Sequence, residues 1–200
     1  MISGHPGGIS LTRRLLALGA GLAGGKVLDL GAGKGESVTW LCSHGYKAVG
    51  IDLIPAEPLV MKQDMRRLQY PDESFEYCLA ECSVSVCGDG MEALKEACRV
   101  LRPGGRLLLS DVFFQREHAP RLSFEHPLTR ETWEKSFREA GFVLQAFEDE
   151  TVLWKEFFIE SLWNGNAEEE CSGFFRRAGK YGCGYFLAVL EKEEILYGFV

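Results

Sequence analysis

The residues with the clearest chemical potential form a glycine-rich turn directly after a short apolar run. Residues 26–30 read Lys-Val-Leu-Asp-Leu, and residues 31–35 read Gly-Ala-Gly-Lys-Gly. Glycines in such a turn let the backbone approach a ligand closely, because no Cβ atom intervenes. In doubly wound sheets, ligands bind outside the carboxyl ends of the strands. The pattern therefore predicts a ligand-binding turn between a buried strand and the helix that follows it.

Two phosphate-binding motifs fit this turn poorly. The dinucleotide motif G-x-G-x-x-G requires glycine at position 36, where the chain has Glu36, and a carboxylate there would face a pyrophosphate unfavourably. The P-loop motif G-x-x-x-x-G-K-[ST] requires glycine at position 28 and serine or threonine at position 35. The chain has Leu28 and Gly35 instead. Both mismatches disfavour a phosphate-rich ligand.

Further features recur at the ends of later predicted strands. Asp52 ends the second strand, and Asp64 and Met65 follow the third. A Leu-Arg-Pro-Gly-Gly turn at residues 101–105 precedes the fifth. Together with the glycine-rich turn, these spaced features resemble class I S-adenosylmethionine-dependent methyltransferases of the type 11 group. The resemblance extends from about residue 26 to residue 113.

The resemblance implies a fold, a cofactor and a set of contacts. The fold is a three-layer α/β, Rossmann-like arrangement with a doubly wound sheet of seven strands, of which the last is antiparallel. The cofactor is S-adenosylmethionine, and its product is S-adenosylhomocysteine. Asp52 matches the acid that hydrogen-bonds both ribose hydroxyls in the family, and Asp64 matches the acceptor of the adenine amino group. The expected cofactor-binding residues are Asp29, Gly31, Ala32, Gly33, Gly35, Asp52, Leu53, Asp64, Met65 and Glu81.

The charge of that cofactor agrees with the acidic residues near the turn. S-adenosylmethionine carries an ammonium and a sulfonium but no phosphate, so nearby carboxylates are favourable. Asp29 and Glu36 are both candidates to face the cation. Each is equally compatible with an ordinary solvated surface acid.

The segment after the fourth predicted strand, residues 81–88, is expected to line the pocket of the methyl acceptor. It lacks the Asn/Asp-Pro-Pro-aromatic motif of methyltransferases that act on amino groups of nucleic acids. Carboxylates in a cleft at strand ends can have raised pKa values and act as bases. Glu81 and Asp111 are therefore the acidic residues that are candidates to orient or deprotonate the acceptor. His5, His118 and His126 are alternatives if their loops cover the site.

The same region is similar to arsenite methyltransferases. The similarity rests on Cys82, on the Arg-Val-Leu-Arg-Pro-Gly-Gly sequence of residues 99–105, and on Ser-Asp-Val at residues 110–112. Thiolates are suited to trivalent arsenic as soft ligands, so Cys82 is also a catalytic candidate, with Cys171 or Cys183 as a second thiol. Free cysteines are often small core residues, and this interpretation is preferred for Cys42, Cys78 and Cys98. It also stands ahead of a functional role for Cys82 and Cys183.

The sequence leaves several classes of function open. The leading hypothesis is a methyltransferase that acts on a small molecule. The alternatives are a thiol- or arsenite-directed methyltransferase and a non-catalytic S-adenosylmethionine-binding partner subunit. A protein that only binds soft metals is disfavoured by the well-formed glycine turn, and no metal site is predicted.

Composition narrows the partners. The 200 residues carry a formal net charge of -7, and basic residues form no cluster larger than the isolated pairs at 13–14, 66–67 and 176–177, which disfavours nucleic acid as a partner. No apolar run approaches the ~20 residues of a membrane span. Residues 1–8 lack the features of a signal peptide, which predicts a cytoplasmic location.

The seven cysteines are an odd number without a Cys-x-x-Cys pair, which disfavours a disulfide framework and a structural zinc site. The oligomeric state stays open, with a homodimer as one possibility.

Alternating strand and helix patterns predict one domain over residues 1–200 with a parallel sheet. Its parts are an N-terminal cap over residues 1–25, a cofactor-binding core over 26–150 and a helical insertion over 151–184. The predicted strands are residues 26–30, 46–51, 59–63, 75–82, 106–113, 142–147 and 185–191. Helix signals include caps at Ser10, Thr129 and Asn166, with stops at Pro103-Gly104-Gly105 and at Gly141.

Overall fold

The computed structural model describes residues 5–19, 24–55, 58–116, 118–119, 121–163 and 180–194. Helices and strands alternate along the described chain. The helices are α1 Gly8–Gly19, α2 Glu36–Ser43, α3 Gly90–Val100, α4 Arg130–Glu139 and α5 Thr151–Trp163. The strands are β1 Lys26–Leu30, β2 Lys47–Asp52, β3 Val60–Lys62, β4 Phe75–Glu81, β5 Leu101–Phe114, β6 Phe142–Asp149 and β7 Cys183–Lys192. A short 3₁₀ turn, Val84–Val86, lies between β4 and α3.

All seven strands form one sheet in the order β3-β2-β1-β4-β5-β7-β6. The pairs from β3 to β5 are parallel, and β7 is antiparallel to both β5 and β6. The strand order reverses between β1 and β4, and such a switch point opens a crevice at the carboxyl ends of the two strands. This topology confirms the predicted doubly wound, Rossmann-like fold with an antiparallel last strand.

The central strands are buried because helices cover the sheet. Residues 183–190 of β7 are all buried, as are residues 107–114 of β5. Such near-continuous apolar runs are typical of strands that are covered on both faces. Trp133 of α4 is also fully buried, and its indole N–H donates to the carbonyl of Val112 at 3.0 Å. In the parts of the chain that the structure describes, no helix is long and apolar enough to cross a membrane.

Some local signals were read correctly. Thr129 caps α4 in a capping box with Thr132, and Gly141 follows the helix with a φ of 91°. The helix predicted over the aromatic segment from residue 154 is α5. The predicted cap at Asn166 lies outside the described residues, as does Cys171.

Other local signals were read wrongly. Helix α1 begins at Gly8, so Ser10 lies inside the helix rather than at its cap. Helix α3 ends at Val100, and Leu101 already pairs with Phe75 in the sheet. The Pro-Gly-Gly sequence therefore forms a bulge inside β5 instead of the end of a helix. Cys42 was expected in the core, but it is exposed on α2.

Candidate functional site

Two adjoining cavities lie at the carboxyl ends of β1, β2 and β4, and they share Gly31 and Cys82 in their walls. The first cavity has a volume of about 350 Å³ and is lined by His5, Asp29, Gly31, Ala32, Gly33, Lys34, Glu36, Ser37, Glu81 and Cys82. The second has a volume of about 230 Å³ and is lined by Gly31, Ile51, Asp52, Leu53, Gln63, Asp64, Met65, Cys82, Ser83, Val86 and Cys87. The two cavities thus contain every predicted cofactor-binding residue except Gly35.

The glycine turn is fixed against the end of β2. The N–H groups of Gly31 and Ala32 both donate to the carbonyl of Ile51 at 2.9 Å. Gly31 has a φ of 82°, and a Cβ atom there would lie 2.6 Å from the Cβ of Ser83. A side chain at this position would therefore clash with the cavity wall. Gly35 lies at the N-cap of α2, also with a left-handed backbone, so its part is to start the helix.

Asp52 links the glycine turn to the second cavity. One carboxylate oxygen accepts from the N–H of Gly33 at 2.9 Å, and the other accepts from the N–H of Ile54 at 2.8 Å. These two bonds hold the half-buried carboxylate at the cavity wall. Leu53 and Val86 line the same cavity with 52% and 65% of their surfaces exposed, so the cavity combines a carboxylate with apolar walls.

Asp64 is held by a neighbour that the sequence analysis missed. Its carboxylate accepts from the backbone N–H, the Nε and the Nη2 of Arg66, with the last distance 2.6 Å. These hydrogen bonds hold the pKa of Asp64 below its usual range. The Nε of Arg66 also lies 3.1 Å from the second carboxylate oxygen, so Arg66 engages both oxygens of Asp64. The only sequence feature that points to Arg66 is its position two residues after Asp64.

The first cavity contains two carboxylates that behave in the opposite way. Burial raises the pKa of Asp29 well above its usual range, and the nearby carboxylates of Glu81 and Asp52 add to the effect. Burial also raises the pKa of Glu81, while His5, Ser37 and Thr12 act against that shift. Both acids therefore favour a cation or a proton in their surroundings.

Glu81 is the point where three elements meet. The Thr12 hydroxyl of α1 donates to Glu81 at 3.0 Å, and the Ser37 hydroxyl of α2 donates at 3.0 Å. The Nε2 of His5 lies 3.5 Å from the same carboxylate. Thr12 and Ser37 were not predicted as site residues, because single hydroxyls carry no motif.

The three histidines considered as bases have different positions. His5 lines the first cavity. His126 stacks on Phe124, and its Nε2 lies 3.3 Å from the Ser136 hydroxyl, away from both cavities. His118 lies in a separate loop after β5 and lines neither cavity.

Asp111 lies behind the cavities rather than in them. It is fully buried, and its carboxylate accepts from the N–H of Ser85 at 2.9 Å and from the N–H of Val112 at 2.7 Å. Burial raises the pKa of Asp111 to about 6. These contacts give it a structural task, which is to hold the 3₁₀ turn after β4. The orienting role predicted for Asp111 would have to act through that turn.

Cys82 lines both cavities, but its thiol is engaged. Its Sγ lies 3.1 Å from the hydroxyl of Tyr185, which in turn donates to the Ser110 hydroxyl at 2.8 Å. The thiol is therefore the donor to Tyr185. Burial, followed by the charge of Asp111, raises the pKa of Cys82 well above its usual range.

Cys183 offers no better thiolate. It is buried, its Sγ lies 3.6 Å from the carbonyl of Gly184, and burial raises its pKa to about 12. A soft-metal site formed by Cys82 and Cys183 would need two protons to leave thiols that burial keeps neutral. The described cysteines therefore lend no support to a preformed arsenite site.

The comparison with known families gives a match over the part of the chain that forms the two cavities. Residues 28–109 match the family model described as a methyltransferase domain. This range contains the end of β1, the glycine turn, Asp52, Asp64 and most of β5. Over residues 28–109 the chain is thus similar to methyltransferase domains, and S-adenosylmethionine is the cofactor of the class I enzymes of this kind.

The chain is also similar to individual curated proteins. It is 31% identical over 134 residues to a phosphatidylethanolamine N-methyltransferase of Cereibacter sphaeroides, which covers 59% of this chain and 65% of the relative. It is 28% identical over 126 residues to an arsenite methyltransferase of Aquipseudomonas alcaligenes, covering 50% of this chain and 36% of the relative. The latter match confirms the local similarity predicted from the sequence.

A solved structure supports the fold alone. The [4+2]-cyclase SpnF superposes with a TM-score of 0.72 at 22% identity, covering 92% of this chain and 80% of that one. The chain spans 36% to 65% of the length of the two curated relatives named above. Neither a substrate nor a partner follows from these similarities.

Proposed function

We propose that this chain transfers a methyl group from S-adenosylmethionine to a small-molecule nucleophile. The observation that carries the proposal is the pair of joined acidic cavities around the glycine turn. One contains Asp29 and Glu81, and the other contains Asp52 and Asp64. This division matches a molecule with an ammonium group at its amino-acid end and an adenosine at the other end.

The residues present fit that cofactor on chemical grounds. In the second cavity, Asp52 and Asp64 offer carboxylate oxygens to hydroxyl and amino donors, and Leu53 and Val86 offer apolar surface to a flat base. In the first cavity, an ammonium would relieve the unfavourable burial of Asp29 and Glu81. Gly31 leaves the backbone between the two cavities free of side-chain atoms.

The bound cofactor would supply an electrophilic methyl group on sulfur. The task of the chain is to hold the acceptor in line with that group, and such positioning contributes about 7–11 kcal/mol in well-oriented reactions. With the cofactor held by the carboxylates of the two cavities, the methyl group would pass from sulfur to the acceptor atom, and the acceptor atom would lose a proton. Glu81 is the group proposed to receive that proton, since its carboxylate faces the first cavity and its pKa is raised.

The acceptor is proposed to be a small organic molecule, in a cytoplasmic setting. The support is the acidic character of the cavities, which is unfavourable for the phosphates of a nucleic acid. A thiol or arsenite as the acceptor is a second version of the same activity. It has less support, because burial keeps the thiols of Cys82 and Cys183 neutral.

Calorimetry and turnover together test the proposal. The purified, reduced chain is first titrated with S-adenosylhomocysteine, and saturable one-to-one binding is expected. It is then incubated with S-adenosylmethionine and a panel of amines, phenols, carboxylates, thiols and arsenite, and the S-adenosylhomocysteine that forms is measured against a control without acceptor.

Each outcome has a distinct meaning. Acceptor-dependent product supports the proposal and identifies the acceptor class. Binding without turnover across the panel would favour a non-catalytic cofactor-binding subunit. Failure to bind S-adenosylhomocysteine would contradict the proposal.

A further inference from the structure

The backbone at Cys82 has an unusual conformation at the wall that the two cavities share. Its φ is 55°, in the left-handed region that residues with a Cβ rarely adopt. Such a conformation persists only when the surrounding structure enforces it, and it often occurs at functional sites. The question is therefore which contacts enforce it.

Contacts from two neighbouring strands hold Cys82 in place. Its N–H donates to the carbonyl of Ser110 in β5 at 2.8 Å. Its thiol donates to the hydroxyl of Tyr185 in β7, and Tyr185 donates to the hydroxyl of Ser110. Tyr185 and Ser110 are both fully buried, so no water competes for these bonds. Strand β5 thus holds the backbone of Cys82, and strand β7 holds its side chain.

The hydrogen bonds from Cys82 to Tyr185 and from Tyr185 to Ser110 agree with the protonation states of the two donor groups. Burial raises the pKa of the Cys82 thiol and of the Tyr185 hydroxyl well above their usual ranges, so both groups keep their protons. A protonated thiol can donate to Tyr185, which can then donate to Ser110. Cys82 is therefore suited to hold a position and poorly suited to attack or to bind a metal as a thiolate.

We propose that Tyr185 is a positioning residue for the cofactor site and acts through Cys82. Tyr185 itself lines neither cavity, whereas Cys82 lines both. Its hydroxyl fixes the side chain of Cys82, and the backbone beneath that side chain forms the wall at which the cavities adjoin. Without the hydroxyl, the strained backbone is free to relax, and the junction between the cavities changes shape. The inference rests on the proposed function, because the affinity that depends on the shape of the junction is the affinity for the cofactor.

A double-mutant cycle tests this inference without knowledge of the acceptor. The variants are Tyr185→Phe, Cys82→Ala and the double variant, and the readouts are the affinity for S-adenosylhomocysteine by calorimetry and the melting temperature. Each single variant is expected to weaken binding about fivefold, the equivalent of one neutral hydrogen bond. The double variant is expected to be no weaker than either single one, because both changes break the same contact.

Conservative and control variants sharpen the result. Cys82→Ser keeps a donor to Tyr185 and is expected to retain affinity within about twofold, since a hydroxyl replaces the thiol as donor. Cys42→Ala removes a thiol on the exposed face of α2 and is expected to leave affinity unchanged. If Tyr185→Phe does not fold, the comparison of Cys82→Ser with Cys82→Ala still decides the matter.

Several results would overturn the inference. Unchanged affinity in Tyr185→Phe, with only a lower melting temperature, would mean that Tyr185 serves packing alone. Additive losses in the double variant would mean that the two residues act separately. Equal losses in Cys82→Ser and Cys82→Ala would exclude the hydrogen bond as the cause. Wild-type protein that does not bind S-adenosylhomocysteine would instead remove the proposed function and this inference with it.

Discussion

The two cavities are both lined by carboxylates, but the partners of those carboxylates differ. In the second cavity, Asp64 is held by the guanidinium of Arg66, and its pKa lies below the usual range. In the first cavity, Asp29 and Glu81 are buried against hydroxyls, one imidazole and each other, and their pKa values are raised. The second cavity is thus prepared to accept hydrogen bonds, whereas the first is prepared to accept positive charge.

The largest expected effect concerns Glu81, the proposed proton acceptor of the first cavity. The Glu81→Gln variant keeps a side-chain oxygen for Thr12 and Ser37 but removes the basic carboxylate. Turnover is expected to fall by about 10²-fold or more, the usual contribution of a general base, while affinity for S-adenosylhomocysteine falls by a smaller factor, because the ammonium loses its pairing with Glu81 but keeps that with Asp29. Steady-state kinetics and calorimetry on the same preparation measure both quantities.

A matched control comes from the same cavity. Glu36 lines it from the exposed start of α2, and Glu36→Gln is expected to keep most of the turnover. Equal losses of turnover and affinity in Glu81→Gln would instead assign Glu81 a purely structural role between α1 and α2.

The next largest effect belongs to the second cavity. Asp52→Ala removes the acceptor of the Gly33 and Ile54 N–H groups and the proposed acceptor of the ribose hydroxyls. Hydrogen bonds to a charged group each contribute about 1.5–3 kcal/mol, so affinity for S-adenosylhomocysteine is expected to fall well beyond tenfold. Calorimetry checks this, with Glu139→Gln on the exposed end of α4 as the control. Unchanged affinity would disprove the assignment of Asp52.

The dependence of binding on pH separates the two cavities directly. A cation lowers the pKa values of Asp29 and Glu81 relative to the free protein, so binding releases protons. Affinity should therefore rise with pH from the usual carboxyl range up to the raised pKa values of the free protein, and level off above them. Asp64 contributes nothing at neutral pH, because its lowered pKa keeps it ionised in both states.

Proton release is measured by titration in buffers with different ionisation enthalpies. Asp29→Asn is expected to reduce the number of protons released, whereas Asp64→Asn is expected to leave it unchanged. Release that is identical in both variants would contradict the proposed division between the cavities.

The smallest effect is expected from Arg66. Its pair with Asp64 is about one third exposed on both sides, and ion pairs at such exposed positions contribute little free energy. Arg66→Ala is therefore expected to weaken binding of S-adenosylhomocysteine about two- to threefold by calorimetry. An increase in affinity would show that Arg66 competes with the ligand for Asp64 instead of orienting it.

Local sequence signals explain which parts of the site could be predicted. The glycine turn, Asp52 and Asp64 each follow a strand with a recognisable pattern, so their placement in one crevice follows from the parallel sheet. The partners of Glu81 could not be found in this way, since Thr12 lies 69 residues away in the sequence. Tyr185 and Cys82 are separated by 103 residues and meet only because β7 inserts next to β5.

The same reasoning explains what the sequence did not indicate. The role predicted for Asp111 rests on its place near a strand end, and its burial and its bond to Ser85 of the 3₁₀ turn after β4 had no signal in the sequence. Cys42 fits an apolar helix pattern, yet α2 is short and turns that side chain towards solvent. Contacts formed between distant segments decide such cases, and single-sequence patterns do not record them.

A crystal structure of the chain with S-adenosylhomocysteine tests the central claim most directly. The predicted result is ligand density that spans both cavities across Gly31, with the amino-acid end beside Asp29 and Glu81 and the ribose beside Asp52. Density elsewhere, or the reverse orientation with the ribose in the first cavity, would contradict the claim that the first cavity binds the amino-acid end and the second binds the adenosine.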